Sequence, residues 1–402
     1  MSVPASIVVI GNGAGGLGAA AAVRAADPSA RVTTCPSVTA IDLDKRTVEV
    51  EGQGATGWDR LIITEGSSAA PLAGVPTDLD GLYAGANLPA SGEWEQVLAD
   101  VKVAVVVDAT PAGLEAVAAL AASGIETHLV DPHPSALAGA VDAEIAGQVE
   151  ESWAEMGVKA HFHTQVEEFL AGEARKVSGV RTSEGELPAD LVVVCSRPAV
   201  ANDVAAAAGL DVSAAGGIVV EERMATSVAG VWAAGECIDL PAGTARFPLQ
   251  YLPSHFYAQG RVAGTNAAGG SRTYQPAYVP WALSAGRWLL GGVAYGETQA
   301  TALGVEYVLG KATGISRARY YPDVKKVTVK LLAEPGSLRL IGAQMVGGEG
   351  IKERADFLGM AVRMGVTLTD LAFMENVYSP PIGALNEPIA VAAQNGLAGL
   401  AS

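Results

Sequence analysis

Ile7-Val-Val-Ile-Gly11-Asn-Gly13-Ala-Gly-Gly16-Leu-Gly-Ala-Ala-Ala-Ala-Val-Arg24 runs an apolar strand straight into a glycine turn and then into an alanine-rich helix. That order is the phosphate-cradling turn of a dinucleotide-binding fold. Gly11 permits the tight turn, Gly13 lets a diphosphate approach bare backbone, and Gly16 lets the helix pack closely on the strand. The diphosphate then lies against the free N–H groups and positive dipole end of the helix.

The pattern returns further along, with a second apolar strand at Val101–Val107 and a second alanine-rich helix at Ala112–Ala122. Two mononucleotide-type units follow from this repetition. Between them, Arg46–Val50 and Asp59–Thr64 read as strands and Trp94–Asp100 as a short helix. The second unit continues through a strand at Glu126–Val130, a helix at Ala143–Met156, a strand at Lys159–His163 and strands near Val177 and Leu191–Cys195. Such alternation argues for a mostly parallel sheet. From about Tyr274 the composition shifts toward aromatics and alternating strands (Arg287–Ala294, Lys326–Leu332, Arg339–Val346), then a helix at Ile351–Met364, so a third, α+β domain is expected.

The 402-residue chain is half apolar, long enough for two or three domains with sizeable cores. Its 26 basic and 43 acidic residues give a net charge of −17, which opposes nucleic acid and anionic lipid and leaves small molecules or proteins as partners. Cys35, Cys195 and Cys237 form no C-x-x-C pair, so neither a disulfide framework nor a zinc site is expected. No run approaches the ~18 apolar residues of a membrane span, and the first strand begins too near Met1 for a signal segment; a cytoplasmic protein is expected.

This order of motifs resembles the pyridine nucleotide-disulfide oxidoreductase family, nearest its coenzyme A-disulfide reductase and NADH oxidase branch. The resemblance implies two Rossmann-like three-layer nucleotide-binding domains, of FAD and NAD type, plus a C-terminal α+β dimerisation domain. It sets residues 1–100 and 211–273 as a shortened FAD-binding domain, 101–210 as an NAD(P)-binding-like domain and 274–402 as the dimerisation domain. By the same resemblance Gly11, Gly13 and Gly16 hold the FAD diphosphate, Asp59-Arg-Leu-Ile-Ile-Thr-Glu-Gly66 is the strand before the crossover, and Glu236, after Gly235, takes the ribityl chain where the family has Asp. Gly113, Glu115 and Asp131 fall on the nicotinamide-nucleotide positions, with Asp131 favouring NADH over NADPH. Arg319-Tyr-Tyr-Pro-Asp323 and Tyr378-Ser-Pro-Pro-Ile-Gly383 look like dimer-domain signatures and imply a homodimer. Tyr321, Tyr378 and His255 are the candidate catalytic residues, each with a plainer reading: interface anchors for the tyrosines, a helix-start residue for His255.

Four departures qualify the resemblance. The second strand, Arg31-Val-Thr-Thr-Cys-Pro-Ser37, carries no acid for the adenosine ribose. Cys35 is followed almost at once by Val38-Thr-Ala-Ile-Asp42, so the segment bearing the family's redox cysteine is missing, and nothing nearby in sequence would activate Cys35. The second turn, Asp108-Ala-Thr-Pro-Ala-Gly113, keeps only its last glycine, sets a carboxylate where a diphosphate would approach, and narrows that approach with a β-carbon at position 110. Finally, Thr64-Glu65-Gly66 and Cys195-Ser-Arg197 replace small crossover residues. His161-x-His163 offers two imidazoles without a third ligand and reads as a surface strand, and Asp142–Glu155 reads as a solvated acidic face.

The function expected is an FAD-dependent oxidoreductase carrying electrons from NAD(P)H through flavin to an external small-molecule or protein acceptor without a cysteine relay. The alternatives are a non-catalytic flavoprotein homologue serving as a binding or structural partner, and an ordinary disulfide reductase whose redox segment is missing from this sequence.

Overall fold

The structure is a computed structural model; it describes residues 5–66, 72, 74–85, 88–196, 200, 202–240, 249, 252–275 and 279–400. The chain forms two compact units, residues 1–69 with 198–277 and residues 70–197 with 278–402. In chain order, the first unit contributes β1 (Ser6–Ile10), α1 (Ala14–Ala26), β2 (Arg31–Cys35) and β3 (Arg60–Ile63). The second contributes β4 (Val103–Val107), α2 (Pro111–Ala122), β5 (Glu126–Val130), α3 (Ala143–Glu155) and β6 (Leu191–Val194). The chain returns to the first unit with β7 (Val231–Ala233) and α4 (Pro253–Ala267). It ends in the second with β8 (Pro280–Ala285), β9 (Trp288–Ala294), β10 (Val308–Ile315), β11 (Lys326–Ala333), β12 (Leu340–Gly347), α5 (Ile351–Met364) and α6 (Pro388–Leu400).

In the first unit the strands lie in the order β7-β3-β1-β2, all parallel. Ile7, Val8, Val9 and Ile10 are fully buried, as a strand covered on both faces requires. Small residues let α1 and α4 lie together on this sheet: a methyl on Gly260 would run into the Gly15 carbonyl, and one on Gly264 into that of Ala19. A three-stranded meander (Ala40–Asp42, Thr47–Val50, Gly54–Gly57) adds Val48 and Val50 to the same core as β1.

The second unit has a parallel sheet ordered Lys159–His161, β5, β4, β6, Leu82–Ala84. Leu82–Ala84 therefore belongs to this sheet, and the boundary expected at residue 100 falls near residue 70. The edge of the buried strand β6 needs a partner, and Leu82, itself buried, supplies it. The boundary expected at 210 likewise moves to about 197, because Ala205 of the helix Asp203–Ala207 packs into the first unit's core. The same unit holds an antiparallel sheet ordered β8-β9-β12-β11-β10, the α+β domain expected from the sequence.

These two sheets are tied by an ion cluster. Asp142, expected on a solvated face, is only 4% exposed, and its carboxylate accepts Lys330 Nζ of β11 at 2.7 Å and the Thr298 N–H at 2.9 Å. Lys330 also pairs with Glu297. Gln344 of β12 closes the cluster, accepting the Asp142 N–H at 2.8 Å and donating to the Ala140 carbonyl at 3.1 Å. Burial works to raise the Asp142 carboxyl, but Lys330 and the N–H groups of Thr298 and Glu297 outweigh it and hold it below the ordinary carboxylate value. A lowered carboxyl stabilises the fold above its unfolded value of about 3.8, and that contribution is lost as pH falls through the folded value. Replacing Lys330 with Met strands the carboxylate and is expected to remove about 3–5 kcal/mol of stability at neutral pH. The loss should shrink toward pH 3 in denaturant titrations of the two proteins; a pH-independent difference would show that the charge pair is not its source.

Candidate nucleotide sites

The first turn forms an open cradle. Gly11 has φ +93° and its N–H donates to the Cys35 carbonyl at 2.7 Å, which bends the chain off β1. A methyl on Gly16 would enter the Gly11 carbonyl, so only glycine lets α1 start this close to the strand. Gly13 is the N-cap of α1 and no side chain caps that end; a Cβ there would meet nothing within 4 Å. The cleft in front measures about 270 Å³ and is lined by Gly11, Gly13, Thr64, Glu65, Glu236 and Phe256 among others.

Thr64 anchors the floor, its Oγ1 donating to the Ile10 carbonyl at 2.6 Å and its N–H to the same carbonyl at 2.8 Å. Gly66 faces Glu236, a Cβ there standing 3.4 Å from Glu236 Oε2. Gly235 has φ +96° and donates its N–H to Gln259 Oε1 of α4 at 2.9 Å, fixing Glu236 at the cleft wall. Gly11, Gly13, Gly66, Gly235 and Glu236 are thus brought together, with Gly16 setting the helix behind them. The uncapped helix start suits a diphosphate, and the half-buried Glu236 suits a polyol hydroxyl. These residues fit FAD. Sequence reasoning missed Pro36 and Phe256, which also line the cleft; the only signal for Phe256 was its place one residue after His255, which is itself buried in the first turn of α4.

The second turn repeats this backbone with other side chains. Asp108 stands in place of Gly11, has φ +72°, and donates its N–H to the Val130 carbonyl at 2.9 Å. A methyl on Gly113 would enter the Asp108 carbonyl. Thr110 is the N-cap of α2, its Oγ1 accepting the Gly113 N–H at 3.2 Å. Asp131 is buried, one oxygen accepting the Ala109 N–H at 2.6 Å and the other bonded to the His133 N–H and Nδ1. Glu115 lies exposed on α2. Arg197 falls outside the described residues.

Tyr321 and Tyr378 lie in the second unit. Tyr378 lies near Tyr320, whose ring centre stands 5.7 Å from that of Tyr321; Tyr320 is 74% exposed. The neighbouring Tyr378 hydroxyl pushes the Tyr320 hydroxyl up from its ordinary value. His163 leaves the expected strand, which ends at His161, and turns with φ +57°. His161 stacks instead on His128, with Nε2 3.1 Å from His128 Nδ1. Among the described residues no three His, Cys, Asp or Glu side chains are placed to share a metal ion, and no helix is long and apolar enough to cross a membrane.

A parallel sheet that ends in a glycine turn, repeated in a second parallel sheet and followed by an antiparallel domain, defines a two-dinucleotide oxidoreductase fold. The chain belongs to the pyridine nucleotide-disulphide oxidoreductase family: residues 28–268 match it, and residues 286–388 match its dimerisation domain. The chain is similar to an NADH oxidase of Methanocaldococcus jannaschii, with 27% identity over 89% of this chain and 81% of that one. It is also similar to a CoA-dependent NAD(P)H sulfur oxidoreductase of Pyrococcus abyssi, 27% identical over 87% and 78% of the two chains. Among solved structures, an NAD-dependent persulfide reductase from A. fulgidus superposes with a TM-score of 0.87 at 26% identity, over 98% of this chain and 83% of the other.

Two glycine substitutions separate fold from cofactor. Gly16→Ala is expected to lower thermal stability and flavin content together, whereas Gly13→Ala, with free space for its methyl, should melt near the parent temperature and still lose flavin. The ratio of visible to ultraviolet absorbance, read beside the melting temperature, checks this; a Gly13→Ala protein with full flavin would place the diphosphate elsewhere.

Proposed function

We propose that this chain is an FAD-dependent oxidoreductase in which electrons leave the flavin for an acceptor outside the chain, with no cysteine relay. The reading is carried by the first turn, where an uncapped helix start, bare backbone at Gly13 and the carboxylate of Glu236 meet in one cleft. Bound there, FAD supplies the redox chemistry; the protein positions it and sets its electrostatics. Thr64 and Gly66 keep the floor narrow, Glu236 holds a hydroxyl, and Glu65 brings a second carboxylate to the wall of the cleft. The names of the relatives supply the donor class, reduced nicotinamide nucleotides.

The cysteines support an external acceptor. Burial raises the Cys35 thiol above its ordinary value. Burial, with Asp108 beside it, pushes Cys195 up to about 12, and burial pushes Cys237 up to about 12. A thiol becomes nucleophilic only as thiolate, so none of the three is poised for electron relay at neutral pH. Acceptors that suit a bare flavin are a quinone, dioxygen or an iron–sulfur partner.

We read the working form as a homodimer. Phe357, Met360 and Met364 make an exposed apolar stripe on α5, and Phe373, Val377, Ile382 and Leu385 add to it along the tail; so large an apolar display on a dimerisation domain calls for a cover. Phe373→Asp combined with Val377→Asp should shift the mass seen by light scattering from dimer to monomer, and an unchanged mass would place the interface elsewhere.

A non-catalytic homologue is the second reading, favoured by the left-handed Asp108 and the Thr110 cap at the second turn. Steady-state assays with reduced nicotinamide and dithionite as donors, and quinone, dye and dioxygen as acceptors, separate the two readings. A Cys35→Ser, Cys195→Ser, Cys237→Ser protein should keep turnover within about twofold of the parent, since no thiol is reactive. A loss of two orders of magnitude in a folded, flavin-replete variant would establish a thiol relay, and no turnover with any acceptor would favour the non-catalytic reading.

A further inference from the structure

The two turns are built on one backbone. Gly11 and Asp108 each donate their N–H to the last carbonyl of the next strand, that of Cys35 and of Val130. Thr64 and Cys195 each donate theirs to the carbonyl that ends the preceding strand of the turn, at Ile10 and Val107. Gly16 and Gly113 are held to glycine by the same carbonyl clash. A diphosphate bound on this backbone lies over the N–H groups of the helix's first turn.

At α1 that place is open. At α2 it is filled from within. Thr110 stands where the first turn has Gly13; its Oγ1 accepts the Gly113 N–H and donates to the Cys195 carbonyl at 2.9 Å, which locks the rotamer. Pro111, the next residue, has no N–H to offer. The Ala109 N–H is taken by Asp131. The carboxylate of Asp108, held by Ser196, brings negative charge to the mouth of the turn, where it repels a second anion. A turn that had merely decayed would leave its N–H groups unmet; here the Ala109 and Gly113 N–H groups each have a partner, and Asp108 keeps a left-handed backbone that disfavours every residue but glycine and, less strongly, Asn and Asp.

We propose that the second nucleotide turn is closed by its own side chains, with Thr110 as an internal cap in the place of the diphosphate, so that a nicotinamide dinucleotide binds there only weakly and by displacing that cap. The proposal rests on the reading of the second unit as a nicotinamide-nucleotide domain, but its test is a binding measurement that needs no turnover. It places the control of nicotinamide-nucleotide affinity in Asp108 and Thr110.

The experiment titrates NADH into the purified protein, followed by nicotinamide fluorescence and by calorimetry, for the parent, Thr110→Ser, and Asp108→Gly with Thr110→Gly. The parent should half-saturate above about 1 mM, beyond the usual range for substrates. The double glycine variant should bind at least about tenfold more tightly, roughly the worth of one helix cap. Thr110→Ser keeps the hydroxyl and should stay weak. Circular dichroism and melting of each variant establish that it is folded, and the parent's own value stands whether or not a variant folds. Micromolar binding to the parent overturns the proposal, as does a folded double variant that binds no tighter. Absence of flavin from all proteins would defeat the flavoprotein reading while leaving this result intact.

Discussion

A helix that follows a parallel strand begins with N–H groups that have no carbonyl behind them, and this chain settles that deficit in two ways. At α1 the deficit is left open: glycines clear the approach, no side chain caps the end, and the walls carry Glu65 and Glu236. At α2 it is met by Thr110. The strands beneath both turns, the carbonyls they bond and the glycine that closes each are equivalent, so the difference lies in a few side chains placed on a shared backbone. The close approach of α1 and α4 has a separate cause, the small residues Gly15, Ala19, Gly260 and Gly264 on their facing sides.

Much of this was legible in the sequence because the signals are local. The apolar run Ile7–Ile10, the glycine spacing and the alanine-rich helix describe one strand–turn–helix unit, and its repetition gave the second sheet. The antiparallel domain showed itself as alternation over Lys326–Leu332 and Arg339–Val346. Even the closed turn left a trace, since Thr110-Pro111 is a cap followed by a proline at the first helical position. The sequence pointed to charge at Asp108 and a β-carbon at position 110 as the obstacles; the structure adds the capping hydroxyl of Thr110 and its second bond, to the Cys195 carbonyl 85 residues away.

What was not legible depends on partners distant along the chain. Asp142 reads as one more acid on an acidic helix until Lys330, 188 residues on, is folded against it. Leu82–Ala84 carries too short a pattern to announce a strand, and it earns its place only because the edge of β6 is vacant. His161 and His163 look like a pair two residues apart, yet the left-handed turn at His163 breaks the alternation and leaves His161 to His128 on the neighbouring strand. Tyr321 was singled out for its motif, whereas Tyr320 is the one whose hydroxyl is affected by Tyr378.

In the route proposed above the flavin alone carries the electrons, and burial raises each of the three thiols above its ordinary value. The most direct test is an anaerobic dithionite titration of the purified flavoprotein, followed through the flavin bands. Bleaching should be complete when one pair of electrons has been taken up per flavin. Uptake of a second pair before the end point would reveal an oxidised cysteine, a disulfide or sulfenic acid, that takes electrons beside the flavin, and would overturn the flavin-only route.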